Sequence, residues 1–395
     1  MTSSPGRSPV DLRECIEELL KLTLSSYVDP KEQDSSKSKS TMVFSKEYCL
    51  KLLQDDPFNT LSSDSTCPSV GVPPYPLYKR LAESLLHSST IVTTHQKAIS
   101  VNEGISSDQN EDEWNELLSK EGSKLLDVIK AVDFELHVQE PYFTQLKDGQ
   151  KTIEGRCAIG DYNKIDAGAI ILFNKSLVLQ VQEVRRHASF AEMLESESLM
   201  KVLPGIRTIE EGVQVYRNFY SEEKEKTNGV LAICVGKPYS QLLDIMSSIL
   251  LGLGYEGVQR LLGLGHSVGT VPAALPPPIS VLMSSFSSLH RLDVKCSKLT
   301  DGARALAKHA ERSRDKYWGT LSGSDIHKNQ LATAVVRRLI TRCCWMNMHI
   351  VPPHGLVFEI RVPDGYGARW SGDGSKFIGF LEPYMMDGHS RGWKH

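Results

Sequence analysis

The chain has 395 residues, with 45 lysines and arginines against 48 aspartates and glutamates, for a formal net charge of -3. That length predicts two or three domains, and the balanced charge excludes the globally basic character of a high-affinity duplex-DNA binder. No window of eighteen apolar residues occurs, so no membrane span and no membrane partner are expected.

The start, Met1-Thr2-Ser3-Ser4-Pro5, lacks the basic and apolar regions of a signal peptide. Eight cysteines are scattered without a CxxC pair, which suits a reducing compartment, nuclear or cytoplasmic. Residues 1–110 read as helical segments on flexible linkers. Leu12, Cys15, Ile16, Leu19 and Leu20 recur at helical spacing after Asp11, a residue type that caps helix starts. The polar run 34–40 is low-complexity. Short helices over 46–53 and 77–86 then flank a stretch rich in serine and proline at 61–75. Two readings stand for this region: a partner-binding arm, and helices that pack on the rest of the chain.

The next domain is predicted over 111–238, entered by an acidic helix at 113–132 and with its core at 134–238. Phe134, Leu136 and Val138 alternate with polar residues, as in a half-buried strand. After Glu140-Pro141-Tyr142, Gly149 breaks a short helical turn and Lys151 to Arg156 continue as an extended segment. Side chains two apart then share a face, so Thr152, Glu154 and Arg156 point one way with Lys151 at the entrance. Such a charged cluster is costly to bury unless paired, which predicts a wet cleft. Ser189-x-x-Glu192 and Thr208-x-x-Glu211 are capping boxes, and Val213, Tyr216 and Phe219 or Tyr220 follow as an apolar helical stripe. Strand, short helix, strands, two helices and a strand suit a small barrel with helices at its rim.

These motifs in this order resemble the ASCH (activating signal cointegrator-1 homology) domain of the PUA-like β-barrel superfamily. The E-P-Y and G-x-K-T-x-E-x-R pattern falls on Glu140 to Arg156, S-F-x-E-x-L on Ser189 to Leu194, and E-G-V-x-V-Y-R on Glu211 to Arg217. The resemblance implies a central PUA-like barrel with rim helices; with the helical N-terminal region and the α+β C-terminal unit read from the residues, the chain is an α+β protein. The resemblance also implies RNA or other nucleic-acid binding, with coactivator-like regulation. Lys151, Thr152, Glu154, Arg156, Tyr142, Arg185 and Arg186 are the candidate contacts, since lysine and arginine suit phosphate or an unpaired base.

Some ASCH proteins are amidohydrolases that act on modified cytidine with a lysine, a threonine and a glutamate, and Lys151 falls on their lysine. Their threonine position holds Glu154, which removes the hydroxyl nucleophile. Lys151 and Glu154 are the catalytic candidates if the chain is a hydrolase on a modified nucleoside or RNA. A plain ion pair at the barrel mouth is the remaining reading.

Residues 239–290 read as a buried helix followed by a Gly- and Pro-rich linker, and 291–395 as an α+β domain of two helices and a hairpin. The last region resembles one found in plant and fungal ASCH-containing proteins, a likeness that brings no chemistry with it. A helix is predicted over 328–346, with Leu331, Val335, Leu339 and Cys343 as its stripe and Arg337, Arg338 and Arg342 off it. Strands are predicted at 357–362 and 377–380, paired across a Gly-rich loop at 365–374. Gly265-His266-Ser267-Val268-Gly269 fits G-x-S-x-G, but a helix precedes it where the nucleophile elbow needs a strand. Two readings stand for the 365–374 loop: Arg369, Trp370 and Lys376 stack on and pair with a single-stranded base, or Trp370 packs on the core beneath a plain hairpin loop. Arg369 and Lys376 offer a basic surface that the 391–395 terminus extends. His349, His354, His389 and His395 lack metal-ligand spacing, so no metal and no cofactor are expected.

Overall fold

The computed structural model of the protein describes residues 10–29, 44–59, 70–91, 108–238, 240–290, 298–312 and 316–383. The predicted linker at 34–40, most of the 61–75 stretch, His389 and the 391–395 terminus lie outside them. The helices are α1 (Leu12–Val28), α2 (Lys46–Leu53), α3 (Leu77–Ile91), α4 (Asp108–Leu117), α5 (Ser123–Lys130), α6 (Tyr142–Asp148), α7 (Phe190–Glu197), α8 (Leu199–Val202), α9 (Ile209–Arg217), α10 (Glu222–Asn228), α11 (Leu242–Leu261), α12 (Ile279–Phe286), α13 (Asp301–Arg312) and α14 (Asp325–Arg342). The strands are β1 (Phe134–Leu136), β2 (Ile153–Cys157), β3 (Ile170–Phe173), β4 (Leu177–His187), β5 (Val230–Gly236), β6 (Trp345–Val351), β7 (Gly355–Arg361), β8 (Gly367–Ser371) and β9 (Phe377–Leu381). Among the described residues no helix is long and apolar enough to cross a membrane. Two units result, one drawn from 1–23 and 88–249, the other from 24–87 and 250–395.

In the first unit the sheet order is β1-β3-β4-β5-β2, a half-barrel with one parallel pair, β1 with β3. β5 is buried on both faces, and its side chains alternate between two cores. Leu231, Ile233 and Val235 enter the core inside the half-barrel with Leu136, Phe173 and Leu179. Val230 and Ala232 enter the core under the helices with Phe190, Met193 and Tyr216. The hydroxyl half of each predicted capping box forms: Ser189 Oγ accepts from Glu192 N at 3.1 Å, and Thr208 Oγ1 from Glu211 N at 3.2 Å. The two glutamate side chains reach one residue further back, accepting from Ala188 N and Arg207 N rather than from the cap amides. Tyr220 rather than Phe219 joins the packed stripe after α9, stacking on Phe190.

β2 pairs Gly155 with Ala232, on the face that carries the helices. A Cβ at Gly155 would land on Tyr216 Oη and Met193 Cε. Alanine ordinarily favours a strand over glycine by a few tenths to 1 kcal/mol, but overpacking costs about 1–3 kcal/mol and wins here. Gly155→Ala is therefore expected to lower the melting temperature by several degrees. A melting temperature equal to that of the parent would show that Tyr216 can move aside.

The second unit holds an antiparallel sheet, β6-β7-β8-β9. Met346, Met348, Phe358, Ile360, Ala368 and Trp370 are buried on one face, where the Trp370 indole donates to Leu282 O at 3.2 Å. Three sequence expectations change here. The long helix ends at Arg342, because Cys343 adopts an extended backbone, so 345–351 form a strand instead. Of the expected stripe, Leu339 and Cys343 are buried and Leu331 and Val335 half-buried, while Ala332, Val336 and Ile340 take the innermost positions of the helix. The segments at 357–362 and 377–380 do not pair with each other. β8 lies between them, formed by 367–371 inside the Gly-rich stretch 365–374, which reads as a loop until two neighbouring strands supply its hydrogen bonds.

Candidate functional site

Gly149 ends α6 in the left-handed conformation at φ 77°, open to glycine at little cost. The turn brings Gln150 N and Lys151 N onto Gln145 O, at 2.9 and 3.0 Å, and aims the Lys151 side chain inward. Lys151 is 3 % exposed and Glu154 6 %. The ammonium donates to Ile153 O at 2.8 Å and to Val202 O, and pairs with Glu154 Oε2 at 3.1 Å. Three protons meet three acceptors, so Lys151 has none left for a ligand. Burial pulls its pKa down, while Glu154 opposes that shift. The expected wet cleft therefore does not exist at Lys151 and Glu154. Their charges are buried and mutually paired.

Arg156 shares the Glu154 face, as period-2 spacing requires, with Nε 2.9 Å from Glu154 Oε1. Its Nη2 donates to His137 O at 2.6 Å, tying edge strand β2 to the chain leaving β1, the other edge. The guanidinium lies 5.7 Å from the Tyr162 ring, and Tyr142 is half-buried, its ring 6.0 Å from Lys151 Nζ. Thr152 acts through its backbone, donating to Lys201 O and accepting from Val235 N.

Arg185 and Arg186 point to opposite faces. Arg186 pairs in register with Leu231, which also pairs with Arg156, so the two arginines flank Leu231 on the inner face. Arg186 is exposed and donates to Asn163 at 3.1 Å. Arg185 lies on the helix face, bonded to Glu197, Glu183 and Cys234. Glu197 also bonds His187 at 3.1 Å.

In the second unit, β6, β7 and β8 each turn polar residues to the face opposite the core. Asn347, Glu359 and Arg369 lie directly across from one another, with His349 and Arg361 two positions along. Glu359 is 2 % exposed. Its Oε2 accepts from His349 Nε2 at 3.3 Å and from Arg369 Nη2 at 2.6 Å, and its Oε1 from Arg361 Nε at 2.7 Å. Burial alone would raise the carboxyl pKa, but His349, Arg361 and Arg369 outweigh it and hold it down at about 2. One carboxylate between two guanidiniums leaves a net positive site with a histidine at its margin.

The G-x-S-x-G stretch borders this site without forming an elbow. Gly265 N donates to Met346 O at 2.7 Å, and Val271 N to Met348 O at 2.8 Å. Fully buried Asn347 donates from Nδ2 to Ser267 Oγ at 2.7 Å and to Thr270 Oγ1 at 2.9 Å. Sequence reasoning took His349 as a scattered surface histidine and Arg369 as part of a loop surface. Both are held by Glu359 instead. The available signal was Glu359 and Arg361 alternating with Phe358 and Ile360 inside one strand, which marks a charged face in mid-sheet.

Residues 136–239 match the ASCH domain family. This chain therefore carries an ASCH domain, built on the half-barrel. Residues 292–382, which contain the Glu359 face, match a second family, the CdiA C-terminal tRNase toxin domain. The crystal structure of hypothetical protein PH0355 is similar at 47 % identity over 26 % of this chain and 95 % of that one, with a TM-score of 0.26. The solution NMR structure of protein PF0455 from Pyrococcus furiosus is similar at 44 % identity over 27 % and 97 %, with a TM-score of 0.25. No curated protein matches.

Proposed function

We propose that this protein binds RNA through its ASCH domain and cleaves RNA of the tRNA kind at the Glu359 face of its second unit. The observation that carries the reading is His349, Arg361 and Arg369 gathered on one buried carboxylate, within a segment similar to a tRNase domain. RNA strand scission by the neighbouring 2′-hydroxyl needs a proton taken from that hydroxyl and one given to the departing 5′-oxygen. It also needs positive charge on the phosphate between them. Histidine is the usual proton carrier near neutral pH. Glu359 orients the His349 ring, and Arg361 and Arg369 supply the guanidiniums that suit a phosphodiester. The products are a 2′,3′-cyclic phosphate and a 5′-hydroxyl.

In the ASCH domain, exposed Arg186 and half-buried Tyr142 are the accessible contacts, with Arg156 beside them. Coactivator-like regulation, a nuclear or cytoplasmic site of action and protein partners for the N-terminal helices belong to the same proposal and add no residue to it. The test incubates the full chain with total tRNA and reads new 5′-hydroxyl ends on a denaturing gel. His349→Ala is expected to slow cleavage by about 100-fold or more, the usual weight of a general acid or base. No cleavage of any RNA by the parent protein, or parental rates in His349→Ala, would overturn the ribonuclease reading.

A further inference from the structure

We infer that Trp345 and the loop at 264–271 form a subsite for an unpaired nucleobase beside the phosphodiester site. The inference rests on the ribonuclease reading for the identity of the ligand. Trp345 shares its face of β6 with Asn347 and His349, by period-2 spacing. Its ring lies 6.2 Å from the His349 ring and nearly perpendicular to it, at 87°. The indole is half-buried. Gly265 closes over one part of it, since a Cβ there would sit 2.6 Å from Trp345 Nε1 and 2.9 Å from Cδ1.

The loop that carries Gly265 is anchored, not merely adjacent. It is bonded along β6 through Met346 O and Met348 O, and Ile350 N donates to Gly269 O at 2.9 Å. Asn347 reaches up from the sheet and fixes Ser267 and Thr270. The result is a rigid wall at the edge of a cationic floor, presenting exposed His266 and Val268, the latter 99 % exposed. An aromatic ring and an apolar lip next to two guanidiniums and an imidazole complement a nucleotide, with its base on the wall and its phosphate on the floor. Ring stacking reads any base through its π-face but requires that the base be out of a duplex. The subsite therefore selects loops and single strands and disfavours paired stems.

The probe is an RNA oligonucleotide with a single 2′-deoxy position at the scissile site, which binds but is not cut, in three forms: single-stranded, duplexed, and abasic next to the deoxy position. Affinities are measured for the full-length parent, Trp345→Ala and Trp345→Phe, each checked for a cooperative melt. The parent is expected to bind the single strand about tenfold better than the abasic form, from the stacking of one base. Trp345→Ala is expected to lose that margin, and Trp345→Phe to keep most of it. In cleavage, Trp345→Ala is expected to raise KM while kcat stays near the parental value. Equal affinity of Trp345→Ala for the base-bearing and abasic probes, with a parent that distinguishes them, supports the subsite. A parent that does not distinguish them, or a Trp345→Ala protein that still does, overturns it. Because the probe cannot be cut, this result is independent of whether the parent protein cleaves RNA.

Discussion

Glu359→Gln is expected to destabilise the second unit by about 3 kcal/mol at pH 7, because it leaves two guanidiniums and an imidazole around a neutral amide. Arg361 and Arg369 keep partial access to water, which places the loss at the lower end of what breaking a buried ion pair costs. A second signature follows from proton linkage. The carboxyl is held at about 2 in the folded protein, against 4.5 for the free group. A depressed carboxyl stabilises the fold fully above its unfolded pKa and loses that contribution as pH falls towards its folded one. The parent should therefore lose on the order of 3 kcal/mol between about pH 4.5 and pH 2 from this group alone. Glu359→Gln has nothing to lose there, so its stability should fall less steeply with acid. Urea unfolding of both proteins at pH 7, 4.5 and 3 measures both effects. Equal midpoints at pH 7 and parallel acid limbs would mean that the four groups do not associate in solution. Cleavage should fall along with stability, since the same carboxylate orients His349.

What the sequence disclosed differs between the two units for a physical reason. In the ASCH domain, local rules and tertiary packing agree. The N-cap hydroxyls of Ser189 and Thr208, the Gly149 turn and the alternation through Phe134, Leu136 and Val138 each lie within a few residues, and each occurs in the structure. What those rules could not carry was depth. Lys151 and Glu154 look accessible in a linear motif, and only the carbonyl of Val202, far along the chain, shows where the ammonium goes. Sheet geometry likewise separates Arg185 from Arg186, neighbours in sequence that serve opposite faces. In the second unit the decisive partnerships are all between strands. His349, Glu359 and Arg369 come from β6, β7 and β8, and β8 lies within the Gly-rich stretch 365–374 that reads as a loop. A site assembled by register among three strands leaves only the charges of Glu359 and Arg361 as a local trace.

Lys151→Met is expected to destabilise the ASCH domain by about 3–5 kcal/mol, as for the removal of one partner from a buried charge pair. The methionine fills much of the space but leaves Ile153 O and Val202 O without their donor, and buried acceptors without partners are costly. Glu154 would keep Arg156 alone. This loss complicates Lys151 variants as probes of RNA contact, since weaker binding would follow from unfolding whether or not the lysine touches RNA. Arg186→Ala is the cleaner probe. Its side chain is exposed and bonded to Asn163 among the described residues, so stability should stay within about 0.5 kcal/mol of the parent. If Arg186 meets a phosphate, the variant binds RNA more weakly, and the slope of log affinity against log salt falls by about one charge. Melting curves and salt titrations of the two variants separate a structural cation from a contacting one. A Lys151→Met protein that melts with the parent yet loses RNA affinity would return the lysine to the binding surface. A protein that melts far earlier, beside a stable Arg186→Ala with a flattened salt slope, assigns Lys151 to holding the strand–helix junction and Arg186 to the RNA.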